Sequence, residues 1–383
     1  MKLITKILVL SSLCSTVVLA TPRARDLGVP FAGTPGAQNA ITDVPGVLVG
    51  QVSLVQDFAD NKKVRTGVTA ILPRGKDSIQ NPVYGASFAL NGNGEMTGTA
   101  WLDESGFLEG PIMLTNTHSV GVVRDAVIQW RVAQDSADSS GYWWSLPVVA
   151  ETWDGHLNDI NGFHVKTEHA ISALTQASAG PVAEGNTGGG TGMVCHEFKC
   201  GTGTASRQIR FEQHTYHIGV LVQANYGLRD YLTIAGVPVG QHLRNDRVYS
   251  EDNPAAGDTG SIIVVIATDA PLLPHQLKRI AKRAGMGLAK MGSYAGNGSG
   301  DIFVAFSTAN QNASQGGSVS RVDQWPNESI DPLFLATVQA TEEAIVNALV
   351  AGRDTDGHQG RYAKGINHAA LKAVMEKYNR LNP

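Results

Sequence analysis

The stretch 257–269 places one serine between a flexible segment and a rigid one. Small residues dominate 255–260, and Ser261 directly precedes an uninterrupted apolar run, 262–267, that predicts a buried strand. Gly260 has no side chain, so its carbonyl is open to the Ser261 hydroxyl. An N→O acyl shift at this bond would make Ser261 a new N-terminus, carrying both a nucleophile and an amine that can act as its base. The alternative is an ordinary loop that enters a core strand, since glycine and serine are common turn residues.

The first twenty residues have the pattern of a secretory signal peptide. Lys2 and Lys6 give a basic start, a short apolar region follows, and Val-Leu-Ala at 18–20 resembles a cleavage site. The apolar region is too short to span a bilayer. We therefore expect that residues 1–20 are removed and that residues 21–383 form a single exported domain without a membrane attachment.

Composition and charge exclude some classes of protein. The 383 residues are 42% hydrophobic and 17% charged, which is ordinary for a globular protein and gives no sign of disorder. The formal net charge is −4, and removal of the two lysines of the signal peptide makes it −6. No basic patch stands out, so nucleic acid is not an expected partner.

Two cysteines remain once Cys14 leaves with the signal peptide. Cys195 and Cys200 flank His196 in the segment 195–200. Export permits a disulfide between them. Free thiols are a second interpretation, and a metal site is a third, although two cysteines and one histidine are an incomplete ligand set. The neighbouring glycine-rich segment, 184–203, lacks the Gly-Lys-Ser/Thr ending of a phosphate-binding loop, so we interpret it as a tight loop near a site or an interface.

Hydrophobic patterns predict strands and helices at both ends of the chain. Apolar runs bounded by turn residues predict strands, and apolar residues spaced three and four apart predict helices. The predicted strands cover 65–73, 83–90, 110–115, 218–224, 262–267 and 301–307, and the segment 148–155 is predicted as a short strand that runs into a turn. The predicted helices cover 122–132, part of 161–178, 275–289, a segment that starts at Asp331 as its cap, and 367–378. Strands packed against helices in this way indicate a layered α/β fold.

Three polar residues at strand ends are candidates for chemistry together with Ser261. Ser299 and Asp301 are two residues apart at the start of a predicted strand, so they project to one side and can orient a hydroxyl or hold an ammonium. Asn225 follows a predicted strand, and its amide can donate to an oxyanion. Each of these motifs is also a good turn on its own.

A second group of candidates concerns substrate binding. Glu151 ends a predicted strand, where its carboxylate could bind an ammonium through a charge-assisted hydrogen bond. Trp153 follows it and could form a pocket wall, although an aromatic residue after a strand usually serves packing. His118, at a predicted strand–helix junction, is either catalytic or, as is more common, a hydrogen-bonded structural residue.

Five segments, taken together and in this order, resemble the DmpA/BapA family of self-processing L-aminopeptidase/D-esterases and β-peptidyl aminopeptidases. They are Val-Ala-Glu-Thr-Trp-Asp-Gly (149–155), Gly-Gly-Gly-Thr-Gly-Met (188–193), Val-Gln-Ala-Asn-Tyr-Gly (222–227), Ser-Ile-Ile-Val-Val-Ile-Ala-Thr-Asp-Ala-Pro-Leu-Leu-Pro-His-Gln-Leu (261–277) and Gly-Ser-Gly-Asp-Ile-Phe-Val-Ala-Phe-Ser-Thr-Ala-Asn (298–310). The resemblance covers nearly the whole chain after the signal peptide. It implies a four-layer α/β/β/α sandwich that looks like an N-terminal-nucleophile hydrolase with different strand connectivity.

The resemblance also implies an activity and a maturation step. The family precursor cuts itself, here between Gly260 and Ser261, which gives an α chain, 21–260, and a β chain, 261–383. The implied enzyme is a serine aminopeptidase that releases N-terminal α- or β-residues from short peptides, amides or esters with a free amine. The resemblance implies that the enzyme needs no metal and no organic cofactor. It also implies a homotetramer of αβ units.

Site residues carry over from the family position by position. Ser261 matches the nucleophile, Asn225 the oxyanion-hole asparagine, and Glu151 the acid that receives the substrate amine. Ser299 and Asp301 match the supporting serine and acid.

Three positions depart from the family pattern. Asp301 stands where some members have glutamate, Trp153 stands where some carry another pocket residue such as tyrosine, and Cys200 stands where we expect glycine. Substrate preference therefore does not transfer from the resemblance.

Two rival functions remain at this point. An acyltransferase of the ornithine-acetyltransferase type uses the same self-cleavage with a threonine nucleophile, but Ser261 and the export signal count against it. An exported binding protein that never cleaves is the other rival. Residues 297–299, Asn-Gly-Ser, match a glycosylation sequon, and a glycan beside Ser299 would obstruct the site. We therefore expect a bacterial periplasmic or secreted setting.

Overall fold

The computed structural model describes residues 22–76, 80–134, 144–249 and 260–382. The predicted signal peptide, 1–20, lies outside the described residues.

Two sheets organise the fold. The four-stranded sheet has the order β1-β2-β5-β6, and the six-stranded sheet has the order β4-β3-β12-β11-β10-β9. The strands of the first are β1 (Leu48–Asp57), β2 (Lys63–Lys76), β5 (Ile112–Asn116) and β6 (Val148–Thr152). The strands of the second are β3 (Val83–Ala89), β4 (Phe107–Leu108), β9 (Thr202–Phe211), β10 (His214–Asn225), β11 (Ser261–Thr268) and β12 (Gly300–Ser307). Two short hairpins pair β7 (Val194–Cys195) with β8 (Phe198–Lys199) and β13 (Thr355–Asp356) with β14 (Tyr362–Ala363).

Seven α-helices are present in the described residues. They are α1 (Thr99–Ser105), α2 (Val120–Ala133), α3 (Thr167–Gln176), α4 (Val239–His242), α5 (Pro274–Lys290), α6 (Asp331–Val350) and α7 (His368–Lys377). The predictions at 122–132, within 161–178, at 275–289 and at 367–378 correspond to α2, α3, α5 and α7.

The core has three layers of apolar side chains, which makes the fold a four-layer α/β/β/α sandwich as predicted. One layer lies between α2, α3 and the four-stranded sheet, one lies between the two sheets, and one lies between the six-stranded sheet and α5, α6. Residues of β11 alternate between the last two layers: Ile262 and Val264 face the helices, and Ile263 and Val265 face the other sheet. A strand that is buried on both faces explains the uninterrupted apolar run after Ser261.

Helix α6 is long and apolar enough, by length and composition, to cross a membrane. Most of its residues are buried against α5 and strands β9 and β10. Burial in the protein core therefore accounts for its composition, as in a globular protein.

Two predicted boundaries are wrong. Asp331 is not the cap of α6, because Ile330 before it already has helical dihedrals and its carbonyl accepts from Leu333 N at 2.9 Å. The turn Asn327–Ser329 leads directly into the helix, so no side chain needs to cap it. Strand β10 begins at His214, four residues before the predicted Ile218, and its partner β9 was not predicted at all. Polar residues around the β9–β10 hairpin interrupt the apolar run from which a strand is predicted.

Candidate active site

Ser261 is the first residue of β11 and lies between two neighbouring strands. It pairs with Asn225, the last residue of β10, and with Gly300, the first residue of β12. Ser261 is 7% exposed, and its Oγ accepts a hydrogen bond from Gly300 N at 3.2 Å. Gly260 packs so closely that a Cβ there would lie 2.1 Å from the Asn225 carbonyl oxygen. Only glycine fits before this serine, so no side chain at position 260 covers the carbonyl group of that residue.

Ser299 and Asp301 lie at the start of β12 as a hydrogen-bonded pair. Ser299 Oγ donates to Asp301 Oδ1 at 2.7 Å, and both side chains are buried. Paired residues on adjacent strands point to the same face of a sheet, and successive residues alternate. Ser261 therefore projects with Gly300 and Asn225 to one face, whereas Ser299 and Asp301 project to the other. The prediction that Ser299 and Asp301 share one side is confirmed.

The side-chain amide of Asn225 is fixed at both ends. Its Oδ1 accepts from Val194 N at 2.9 Å, and its Nδ2 donates to the Trp153 carbonyl oxygen at 2.9 Å. A backbone N–H on one side and a backbone C=O on the other determine which end of the amide is the nitrogen. The amide nitrogen has two hydrogens, so it can serve a second acceptor beside Ser261.

Glu151 is buried near the end of β6, where hydrogen bonds hold both carboxylate oxygens. Oε1 accepts from Glu95 N at 2.9 Å, and Oε2 accepts from the Thr117 hydroxyl. Burial raises the pKa of Glu151 above its usual 4.5, and these hydrogen bonds partly offset that effect. Neither Thr117 nor the loop 91–95 was predicted as part of the site, because their contacts with Glu151 connect segments that are far apart in sequence.

Loop 91–95 connects Glu151 to the strand beside Ser261. At one end, Glu95 N binds the Glu151 carboxylate. At the other end, Asn91 Oδ1 accepts from Asp301 N at 2.8 Å. The loop thus bridges Glu151 and β12, a role that the sequence did not predict.

The arrangement agrees with the family resemblance. The model of Peptidase family S58 matches residues 39–363, which is most of the chain. The chain belongs to peptidase family S58.

Relatives with similar sequences and structures support this membership. A β-peptidyl aminopeptidase, BapA, of Sphingosinicella microcystinivorans is 55% identical over 94% of this chain and 93% of its own length. The solved L-aminopeptidase D-Ala-esterase/amidase of Ochrobactrum anthropi is 47% identical, with a TM-score of 0.88 over 94% of this chain and all of that one. A Burkholderia sp. β-aminopeptidase is 46% identical, with a TM-score of 0.86 over the same share of this chain and all of its own.

The fold and the general class of activity follow from these relatives. The Ochrobactrum anthropi protein is described as a prototype of the serine aminopeptidases and as a new variant of the N-terminal-nucleophile hydrolase fold. This S58 peptidase is therefore a hydrolase of the aminopeptidase class. The acyltransferase and the non-cleaving binding protein are not supported.

Trp153 lines two cavities of the S58 peptidase. The residue is 48% exposed. One cavity has a volume of about 60 Å³ and is also lined by Val194, Tyr249 and Gly260, among others. The other has a volume of about 320 Å³, and its lining includes His118. The position agrees with the predicted pocket wall.

Within the part of the chain that the structure describes, His118 makes no hydrogen bond to the cluster around Ser261. Its exposed ring stacks on Phe163 with the centroids 5.9 Å apart. The structure therefore favours a packing role at the cavity wall over a catalytic one.

Cys195 and Cys200 form a disulfide in the S58 peptidase, with the sulfur atoms 2.02 Å apart. The metal interpretation is wrong, because a disulfide sulfur is not a thiolate ligand, and no metal-binding cluster occurs in the ranges that the structure describes. The bond closes the β7–β8 hairpin, whose turn residues His196 and Glu197 both have positive φ, at 47° and 60°. Val194, next to Cys195, is the residue whose N–H holds Asn225 Oδ1.

The double variant Cys195→Ala/Cys200→Ala is expected to lose both stability and turnover. Loss of a short covalent loop should cost about 2 kcal/mol of unfolding free energy. A looser hairpin should also misplace the Asn225 amide and lower kcat by about tenfold, with less change in KM. Denaturant unfolding and steady-state kinetics well below the melting temperature measure the two effects. A less stable enzyme with wild-type kcat would contradict the link to Asn225.

The glycine-rich segment forms a buried turn, Gly188–Gly190. Its backbone amides are used inside the protein: Gly188 N donates to Ser53 Oγ at 2.9 Å, and Gly189 N donates to Thr69 Oγ1 at 3.1 Å. Those hydroxyls occupy the donors that a phosphate-binding loop would offer to its ligand. The segment is thus a tight loop, as predicted, and these amides are used in packing rather than in binding a phosphate.

Proposed function

We propose that this chain is an exported, self-processing serine aminopeptidase that removes N-terminal residues from short peptides, amides or esters. The observation that carries the proposal is the position of Ser261. It lies at the start of a rigid strand, directly after an unshielded glycine carbonyl, and next to the Asn225 amide. A buried carboxylate, Glu151, is held nearby by loop 91–95 and is available for an amine.

Maturation begins with attack of Ser261 Oγ on the Gly260 carbonyl carbon. The C–O bond forms, the C–N bond breaks, and the Ser261 nitrogen leaves as a free amine after it gains the hydroxyl proton. Water then hydrolyses the resulting ester, which leaves Gly260 as a carboxylate and restores the Ser261 hydroxyl. The products are an α chain, 21–260, and a β chain that begins at Ser261.

The same serine then acts on substrates. An unperturbed α-amine has a pKa of about 8, so the α-amine of Ser261 is suited to accept the hydroxyl proton near neutral pH. Ser299 and Asp301 lie on the face of the sheet opposite to Oγ, so we assign them to holding the amine rather than to direct contact with the substrate. Asn225 Nδ2 stabilises the oxyanion, and backbone amides assist it. The leaving amine takes the proton, and water releases the acyl group from Ser261.

Glu151 makes the enzyme an aminopeptidase, since its carboxylate receives the substrate ammonium. A buried carboxylate with two hydrogen bonds is fixed in position, and its interaction with a cation is stronger away from water. The names of the relatives suggest that β-residues are accepted. We propose that β-residues are substrates here too.

Glu151→Gln is expected to reduce kcat/KM selectively for substrates with an amine. Two p-nitrophenyl esters, β-alanyl and propionyl, differ only in that group. Loss of a charged hydrogen bond should cost the β-alanyl ester about 10- to 100-fold and the propionyl ester about twofold or less. Glu168→Gln, at an exposed residue of α3, is the matched control. Equal losses on both esters would contradict the assignment of Glu151.

The pH dependence follows from the same carboxylate. Glu151 must be ionised to hold the ammonium, and burial raises its pKa above 4.5. Protonation of the Ser261 α-amine lowers activity on both esters, because that amine is the base in either case. Activity on the β-alanyl ester should fall further as the pH drops through the raised pKa of Glu151, at a higher pH than an ordinary glutamate would give. The propionyl ester should lack this additional fall. A pH profile of kcat/KM for the two esters measures the difference.

Location and assembly complete the proposal. The sequence pattern of residues 1–20 supports export to the periplasm or the medium. The family resemblance supports a homotetramer of αβ units. Fractionation of cells and light scattering of the purified protein test these two statements.

A further inference from the structure

Loop 91–95 forms one wall of the space between Glu151 and the nucleophile. Asn93 N donates to the Ser299 carbonyl oxygen at 3.3 Å, and Glu95 N donates to Glu151 Oε1 at 2.9 Å. Gly94, between these two residues, is exposed. The loop is thus anchored on both sides, and Gly94 presents bare backbone to the space that separates the two anchors.

A side chain at position 94 would enter that space. An ideal Cβ on Gly94 would lie 3.3 Å from Glu151 Oε1, 3.3 Å from Gly300 Cα and 3.6 Å from Ile302 Cδ1. Gly300 is the residue whose N–H binds Ser261 Oγ. The methyl group would therefore stand between the carboxylate and the strand that flanks the nucleophile. The φ angle of Gly94 is outside the positive range, so a left-handed backbone is not what requires glycine there.

We infer that Gly94 is a specificity-determining residue, and that its missing side chain makes room for the longer spacer of β-aminoacyl substrates. This inference rests on the proposed function, because it takes Glu151 as the ammonium site and Ser261 as the nucleophile. An α-residue has one carbon between its ammonium and its carbonyl carbon, and a β-residue has two. Glu151 holds the ammonium at one end of this spacer, and Ser261 attacks the carbonyl carbon at the other end. Because both positions are fixed, the extra methylene of a β-residue has to occupy the volume beside position 94.

The inference predicts a change in preference for Gly94→Ala. Glycyl and β-alanyl p-nitroanilides are unbranched and differ only by one methylene in the spacer. One methylene in a closely fitted pocket commonly changes kcat/KM by about tenfold or more. We therefore expect the ratio of kcat/KM for β-alanyl over glycyl substrate to fall by about tenfold in Gly94→Ala, through a loss on the β-alanyl side.

Gly92→Ala is the matched control in the same loop. A Cβ on Gly92 meets nothing within 4 Å, and its φ is also outside the positive range. This variant should mature normally and keep the wild-type ratio within about twofold. Gly94→Ser adds the same Cβ and should move the ratio in the same direction as Gly94→Ala.

The outcomes separate this inference from the proposed function. If the wild-type enzyme hydrolyses neither anilide, the proposed function fails and the inference fails with it. If the wild type hydrolyses β-alanyl p-nitroanilide but both Gly94 variants lose activity equally on the two substrates, only the inference is overturned. Failure of both Gly94 variants to mature, while Gly92→Ala matures, would assign Gly94 to folding or self-cleavage and would also overturn it.

Discussion

Ser261→Ala is expected to yield a single uncut chain that hydrolyses no aminoacyl p-nitroanilide. The substitution removes the hydroxyl that attacks the Gly260 carbonyl, so no new N-terminus forms. Without that N-terminus, the enzyme also lacks the amine that would act as a base. Loss of a nucleophile and its base together should lower kcat by about 10⁴-fold or more.

A denaturing gel and N-terminal sequencing measure the first effect, and an anilide assay measures the second. The wild type should show two bands, one of which begins at Ser261. Ser314→Ala, at an exposed serine in the loop after β12, is the matched control and should show two bands and full activity. An uncut wild-type chain would remove the basis for self-processing, and residual activity in Ser261→Ala would refute the choice of nucleophile.

Asn225→Ala is expected to have the second largest effect. The amide is oriented by Val194 N and the Trp153 carbonyl and is paired with Ser261 across the β10–β11 ladder. Removal of one oxyanion donor typically lowers kcat by about 10²- to 10³-fold. Because the donor acts on the transition state more than on the bound substrate, KM should change little.

Stability has to be followed in the same variant. Alanine leaves Val194 N–H and the Trp153 carbonyl without their partner, which should cost about 1–3 kcal/mol of unfolding free energy. Asn245→Ala, at an exposed asparagine outside the cluster, serves as the control for both readouts. A rise in KM with unchanged kcat would show that Asn225 binds substrate and is not an oxyanion donor.

The central strand and its serine were predictable because local sequence determines them. The uninterrupted apolar run after Ser261 indicates a buried strand, which the structure has as β11. The close backbone contact at Gly260 was not predicted. Ser299 and Asp301 are only two residues apart, so the period of a strand was sufficient to place them on one side. The layered fold followed from strands and amphipathic helices whose patterns are strong.

The connections between distant segments were not predictable in the same way. Thr117 and Glu95 meet Glu151 only because β5 and β6 are parallel neighbours and loop 91–95 folds over them. No spacing in the sequence encodes that contact. The disulfide remained one of several interpretations, because Cys195 and Cys200 are close enough for a disulfide or a metal site, and only the hairpin geometry decides between them.

The strand order of the six-stranded sheet has a consequence for the matured enzyme. Strands β11 and β12 belong to the proposed β chain, and they lie between β3 and β10, which belong to the α chain. Eight residue pairs join β10 to β11, and six join β3 to β12. After the cut, the two polypeptides are interleaved and cannot separate without breaking the sheet. Once unfolded, however, they have to find each other again as independent molecules, so refolding becomes a bimolecular reaction that depends on concentration. The lifetime of the mature enzyme should then be governed by its rate of unfolding, and the uncut Ser261→Ala chain should refold more readily after denaturation.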